Sequence, residues 1–192
     1  TPFKIKKHAG HPLSLNDRLM AEFESDLPEW KAQIDKKTLA IQFMEPEVLF
    51  ASGRAEINEH FKEILNDFFP RYVKIIFSEE FRDSVEEVRI EGHTSSEWGN
   101  GDVSRDEAYF NNMALSQERT RSVLSYCYHL GSVSEYKSLM RTYITANGLS
   151  SSQPVLFEDG TEDVRRSRRV EFRTRTNADQ KIVQILDELH YD

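Results

Sequence analysis

Ile90-Glu91-Gly92-His93-Thr94-Ser95 closes a run in which Val88 and Ile90 face one way while Arg89 and Glu91 face the other. That is the period-two pattern of a strand with one buried face, and Gly92 marks its end. Downstream, Asn112-Met113-Ala114-Leu115-Ser116-Gln117-Glu118-Arg119 leads into a helical pattern that places Thr120, Val123, Cys127 and Leu130 on one face. Ser167-Arg168-Arg169-Val170-Glu171 then opens another alternating run, with Val170, Phe172 and Thr174 against Arg169, Glu171, Arg173 and Arg175. Strand, helix and strand, each with one apolar face, imply a sheet covered by helices.

The flanking segments extend this reading. Leu39, Ile41 and Phe43 mark an earlier strand, and Ile57, Phe61, Ile64, Leu65 and Phe68 mark one face of a helix. Pro70 is expected to begin a new turn, because its missing N–H is harmless at a first helical position. A short helix over 134–140, a strand over 142–146 ended by Asn147-Gly148, and a polar loop over 149–166 follow. Near the N-terminus, Leu15, Leu19, Phe23 and Leu27 recur every four residues, and Trp30 and Ile34 extend the stripe past Pro28. Ile182, Ile185, Leu186 and Leu189 suggest a closing helix. The expected class is α+β: a mixed four-stranded sheet with helices on one face, plus N- and C-terminal helices. Residues 1–36 read as an arm and linker helix, and 37–192 as the domain.

Bulk properties exclude several functions. The 192 residues carry 25 Lys and Arg against 33 Asp and Glu, a net charge of −8, so nothing steers the whole chain toward nucleic acid. Cys127 is alone, which excludes an intramolecular disulfide framework and a Cys-based zinc site. No run of about 18 apolar residues is present. The chain opens on Thr1-Pro2 rather than Met and is read as a piece of a longer protein.

Four groups of residues are candidates for chemistry. If Ser116 caps the downstream helix, Arg119 lies in its first turn, where N–H groups and a guanidinium together suit a carboxylate; a solvated surface Arg is the alternative. The run Arg165-Arg166-Ser167-Arg168-Arg169 is a candidate anion patch. Strand alternation prevents Arg168 and Arg169 from facing the same ligand, and an exposed edge-strand face remains open. His93 beside Glu91 and Ser95 has the wrong alternation for a catalytic triad, and His8 and His11 sit on a remote arm, so neither catalysis nor a metal is expected. Orienting the following loop by hydrogen bonding is the role expected of His93. Asn112 is a candidate for holding a peptide, with Tyr109 or Phe110 against a sugar; core aromatics and a helix cap are the alternative. Residues 95–110 read as a loop.

Taken in order, Gly92-His93-Thr94-Ser95, Asn112-x-x-Leu115-Ser116-x-x-Arg119 and Ser167-Arg168-Arg169-Val170-Glu171 resemble the signature blocks of the OmpA C-terminal-like family, OmpA and MotB included. The stretch from Val48 to Ile57 is similar to that family's approach to its first helix, so the resemblance covers about residues 38–175. It implies a βαβαβ-type sandwich that binds peptidoglycan without cutting it and needs no cofactor or metal. In such domains an Asp takes the ammonium of a diaminopimelate residue of the stem peptide and an Arg takes its carboxylate. By carry-over, Asn112, Leu115, Arg119 and Arg168 belong to the site, and Ser95 stands where the family has Asp. Glu97, Asp102 and Asp106 remain open as substitutes. The helix before the domain resembles the layout of MotB-like stator proteins, which implies an upstream transmembrane helix in the inner membrane, a MotA-like partner, a homodimer and a periplasmic location. The wording Glu91-Gly92-His93-Thr94-Ser95-Ser96-Glu97-Trp98 resembles a MotB-like component of an anti-phage defence system. The rival expectations are a protein-interaction module on the same fold that has lost peptidoglycan binding and, third, a hydrolase.

Overall fold

Apolar spacing dictates most of the elements, and a computed structural model describes residues 13–51 and 54–178. Ser14 caps the first helix, α1 (Leu15–Phe23), by accepting a hydrogen bond from the Asp17 N–H at 3.1 Å. Leu15, Leu19 and Phe23 are buried along it, as their spacing predicts. Two short strands follow, β1 (Ala32–Asp35) and β2 (Ala40–Met44), then a single turn, α2 (Pro46–Leu49). The long helix α3 (Glu59–Ile76) precedes strand β3 (Val85–His93). After α4 (Arg105–Tyr128) come a 3-10 segment (Gly131–Tyr136), α5 (Lys137–Tyr143), β4 (Ile144–Gly148), the short α6 (Val164–Ser167) and β5 (Arg169–Thr176).

The class is α+β as read, but the sheet has five strands rather than four, in the order β1-β2-β5-β3-β4. Its pairings are antiparallel except for β3 with β4. The added strand is β1, where the helical stripe was expected to continue through Ile34. Pro28 contributes no N–H to a continuing helix, and Lys31 turns the chain at φ 49°. Ile34 then pairs opposite Ile41. Pro70 departs from expectation the other way, lying inside α3 rather than starting a new turn. An interior Pro costs a helix about 3 kcal/mol. The burial of Phe68, Phe69, Tyr72 and Val73 around it offsets that cost, at about 1.5–3 kcal/mol for a fully buried large apolar side chain.

The core lies between the helices and the face of the sheet that carries Ile41, Phe43, Val88, Ile90, Val170 and Phe172. Phe68 sits at its centre, 5.1 Å from Phe23, 5.1 Å from Phe43 and 5.0 Å from Phe172, ring to ring. The Tyr72 hydroxyl, fully buried, shares a 2.6 Å hydrogen bond with Thr174. Burial raises its pKa. Arg71 joins α1 to α3. Its Nε donates to Glu22 at 2.9 Å, one Nη donates to Asp26 at 2.9 Å, and its plane lies 4.9 Å from the Phe23 ring. The hydrogen bond from Arg71 holds the Glu22 carboxyl below its ordinary pKa. Cys127 is buried on α4, where desolvation pushes its thiol up, so it is the structural thiol that its spacing suggests.

Helix α4 begins at Arg105, not near Asn112 or Ser116, so the expected loop over 95–110 is helical in its last third. Ser104 is the cap, accepting from the Glu107 N–H at 3.2 Å. The first turns carry exposed Tyr109 and Phe110, and so lack the apolar periodicity that would have revealed them. The 3-10 segment and α5 replace the single short helix expected over 134–140, and β4 starts at Ile144. The expected N-terminal arm and closing helix lie outside the described residues. Among the described residues no helix is long and apolar enough to cross a membrane.

Two glycines set how closely α4 approaches the sheet. Gly92 on β3 and Gly148 on β4 are register partners. A Cβ on Gly92 would lie 2.9 Å from the Ser116 carbonyl oxygen, and one on Gly148 would overlap the backbone of Gln117. Overpacking of this kind costs about 1–3 kcal/mol. Gly148→Ala is therefore expected to lower unfolding stability by about 2 kcal/mol in urea titration. A loss under about 0.5 kcal/mol, the range of neutral surface changes, would mean that α4 withdraws freely.

Candidate functional site

The three sequence blocks meet at the end of β3. Ser95, Asn112, Leu115, Arg119 and Arg168, all five expected site residues, line one cleft of about 260 Å³ together with Glu97 and Trp98. Ser95 comes from the β3 exit, the next three from α4, and Arg168 from the residue before β5. A larger groove of about 610 Å³ beside Ile57, Lys62 and Tyr126 contains none of the five.

Hydrogen bonds fix the loop after β3 from two sides. Asn112 is buried, and its Nδ2 donates to the carbonyl oxygens of Ser95 at 3.1 Å and Glu97 at 3.0 Å. The Ser96 N–H donates to Glu162 at 3.0 Å, and the Ser96 hydroxyl bonds the same carboxylate. The Thr94 N–H donates to the Ser150 carbonyl at 2.9 Å, and the Ser150 N–H to the Ser116 hydroxyl at 3.1 Å. Asn112 therefore shapes the cleft by holding its rim, a role the sequence did not suggest.

Arg119 lies in the middle of α4, not in its first turn, so the helix N-terminus contributes nothing to an anion site there. A different support takes its place. The guanidinium stacks 4.8 Å from the centre of the buried Phe50 ring, and its Nε donates to the Arg54 carbonyl at 3.0 Å. Arg168 donates from Nε to the Ser95 hydroxyl at 3.1 Å, and its Nη2 lies 3.4 Å from Glu97 Oε2. The cleft thus has two guanidiniums and, among the described residues lining it, one carboxylate, that of Glu97. Asp102 and Asp106 are exposed and do not line it.

Alternation along β5 sends Arg169 away from Arg168, as the sequence requires. Arg169 is buried and donates to Glu171 at 2.7 Å and to the Ser167 carbonyl at 3.0 Å. Arg173 donates to the other Glu171 oxygen at 3.1 Å and sits 3.0 Å from Glu91, and Gln42 donates to Glu171 at 2.8 Å. Burial raises the Glu171 carboxyl pKa, but the Arg169 hydrogen bond, the electrostatic pull of His93 and Arg169, and Arg173 together outweigh it and leave the group below its ordinary value. His93 does not orient the loop by hydrogen bonding. Among the described residues neither ring nitrogen has a hydrogen-bond partner, and Nε2 lies 3.3 Å from Glu91 and 3.8 Å from Glu171. Donor atoms of Glu91, His93 and Glu171 fall within 4.8 Å of one another, a spacing compatible with a metal ion. Arg169 and Arg173 already balance the two carboxylates, so the cluster is better described as a neutralised ion-pair core beneath the cleft.

Sequence reasoning missed Phe50 as the platform for Arg119, Glu162 as the clamp on Ser96, and Trp98 as a wall of the cleft. Glu162 and Ser96 are 66 residues apart, and no local pattern connects them. Phe50 had a signal, since it lies in the stretch that resembles the family's approach to its first helix.

No protein-family model matches the chain. Zorya protein ZorB of Escherichia coli is 46% identical over 176 residues, which cover 92% of this chain and 74% of the relative. A MotB-like protein from Desulfovibrio vulgaris shares the fold with a TM-score of 0.58 at 22% identity, over 84% of this chain and 88% of its own. The cell wall anchor of the T6SS from Pseudomonas aeruginosa gives 0.51 at 20% identity, over 83% and 97%.

The Glu171 core makes stability pH-dependent. A carboxyl whose pKa is lowered on folding contributes stability above its unfolded value and loses it as pH falls through the folded value. Removing one partner of a buried pair costs about 3–5 kcal/mol, so Glu171→Gln is expected to destabilise by about 3 kcal/mol at pH 7. Urea titrations should show the gap to wild type narrowing below pH 4.5, the ordinary Glu value. A gap that stays constant down to pH 3 would contradict the assignment.

Proposed function

The chain belongs to the family of the Zorya protein ZorB, and from that premise we propose that it is a stator-like cell wall anchor whose cleft grips the stem peptide of peptidoglycan without cleaving it. The observation that carries this reading is convergence. Ser95, Asn112, Leu115, Arg119 and Arg168 come from three distant blocks and line one cleft, with two guanidiniums held in place by Phe50, Arg54 and Ser95. Guanidiniums fixed in this way suit carboxylates, and a stem peptide is rich in them. His93 is packed beside Glu91 and Glu171, and Cys127 is buried with a raised thiol pKa, so neither is presented as an activated nucleophile. That arrangement favours binding over hydrolysis.

In this reading the domain works in the periplasm as a homodimer, and its parent protein is held in the inner membrane by an upstream segment that pairs with a MotA-like partner. The assembly does ion-driven work against the wall in anti-phage defence. The likeness to the Desulfovibrio and Pseudomonas structures supports the fold of such an anchor. A second reading, a protein-interaction module that no longer binds peptidoglycan, draws on one observation: an uncharged, buried Ser95 occupies the position of the family's Asp.

Co-sedimentation with purified sacculi decides between them. Wild type should pellet with sacculi. Arg119→Ala and Arg168→Ala should each weaken binding about tenfold or more, the scale of losing a hydrogen bond to a charged group, with circular dichroism unchanged. Wild type left in the supernatant would favour the interaction module, full pelleting of both variants would overturn the site, and release of soluble muropeptides would overturn the non-catalytic assignment.

A further inference from the structure

We infer that a second cavity beside the cleft, walled from it by Trp98, is a subsite for the N-acetylated sugar ring that carries a stem peptide. The inference rests on the stem-peptide reading above and adds a ligand group, and residues to hold it, that the cleft does not supply. The cavity encloses about 350 Å3 between the loop after β3 and the first turn of α4. That volume falls within the ~300–1,000 Å3 of small-molecule sites. Asn100, Val103, Ser104, Arg105 and Ala108 line it and take no part in the cleft. Trp98 and its two neighbours in the chain line both, so the cavities adjoin at the indole.

The indole sets this cavity apart from an ordinary surface hollow. Of the two Trp in the chain, Trp30 belongs to the core, where it packs against Phe23, Phe43 and Phe68. Trp98 is half-buried, and among the described residues no other ring packs against it. Folding therefore leaves apolar ring surface in contact with water, and a ligand that covers it recovers the cost. The backbone that presents the ring is fixed. The Gly101 N–H donates to the Trp98 carbonyl at 3.2 Å, and Gly99 and Gly101 take left-handed φ values of 56° and 83°. The two preceding residues are held by Glu162 and Asn112. A wall built in advance lowers the ordering cost of binding. A pyranose matches this lining group by group. Its ring C–H groups form an apolar face for the indole, its hydroxyls accept hydrogen bonds from Asn100 and Arg105, and an acetyl methyl suits Val103 and Ala108. Sugar and stem peptide are joined covalently, so their sites must adjoin, as these two cavities do.

The test compares two ligands by calorimetry: a muropeptide, in which the stem peptide stands on its N-acetylated disaccharide, and the same peptide freed of sugar. Wild type should bind the muropeptide about tenfold tighter, the upper range for one aromatic contact. The double variant Asn100→Ala with Arg105→Ala should lose most of that advantage and bind the free peptide as wild type does, because neither side chain lines the cleft. Both side chains are exposed, so the fold tolerates the change. Trp98→Ala should erase the advantage, and Trp98→Phe, which keeps an aromatic wall, should retain most of it. Equal affinity of wild type for the two ligands overturns the proposal. So does a double variant that keeps the full advantage or weakens both ligands equally. Failure of wild type to bind either ligand overturns the stem-peptide reading as well, so the two failures are told apart.

Discussion

Helix α4 reaches the sheet because two side chains are missing where β3 and β4 run together. Gly92 and Gly148 are paired across the ladder, and each leaves room for the α4 backbone at Ser116 and Gln117. At that distance the Ser116 hydroxyl accepts a hydrogen bond from the Ser150 N–H, which ties in the loop after β4. One turn earlier on the helix, Asn112 reaches the carbonyls of the β3 exit loop, and almost one turn later Arg119 reaches Phe50 and Arg54. A helix held even slightly further away would separate the cleft into three unrelated surface features. The glycine gap is therefore a condition of the site as well as of the packing.

Alternation along one strand divides the remaining work. Arg168 points to the cleft and Arg169 to the core beneath the sheet, where Glu171, Glu91 and Arg173 neutralise one another. Adjacent arginines thus have unlike environments and unlike energetic roles. Arg168 sits half-open at the cleft. Losing Arg169 would leave a buried carboxylate short of a partner, which is the costlier event in a medium of low polarity.

Most of the fold was legible because apolar spacing and family-like wording agreed. The strands β2, β3 and β5 and the buried faces of α1 and α3 follow from period two or period four alone. The departures have physical causes. β1 was hidden because Ile34 fell in step with a helical stripe, and only pairing with β2 gives it a strand partner. The start of α4 was hidden because Tyr109 and Phe110 are exposed, so the cap at Ser104 was the one local sign. In the cleft, sequence wording gathered all five expected residues but misjudged how Arg119 is supported, since its anchors Phe50 and Arg54 are distant in sequence. Of the three acidic residues left open beside Ser95, Glu97 alone lines the cleft among the described residues.

The place of Arg168 has a mechanical consequence. It immediately precedes β5, an interior strand hydrogen-bonded along both edges, to β2 on one side and β3 on the other. A tether gripped by Arg168 and drawn along that strand loads both ladders in shear, so many backbone hydrogen bonds resist together instead of peeling one after another. In the proposed anchor, a pull passed through Arg168 would therefore meet two ladders at once before it could strip β5 from the sheet.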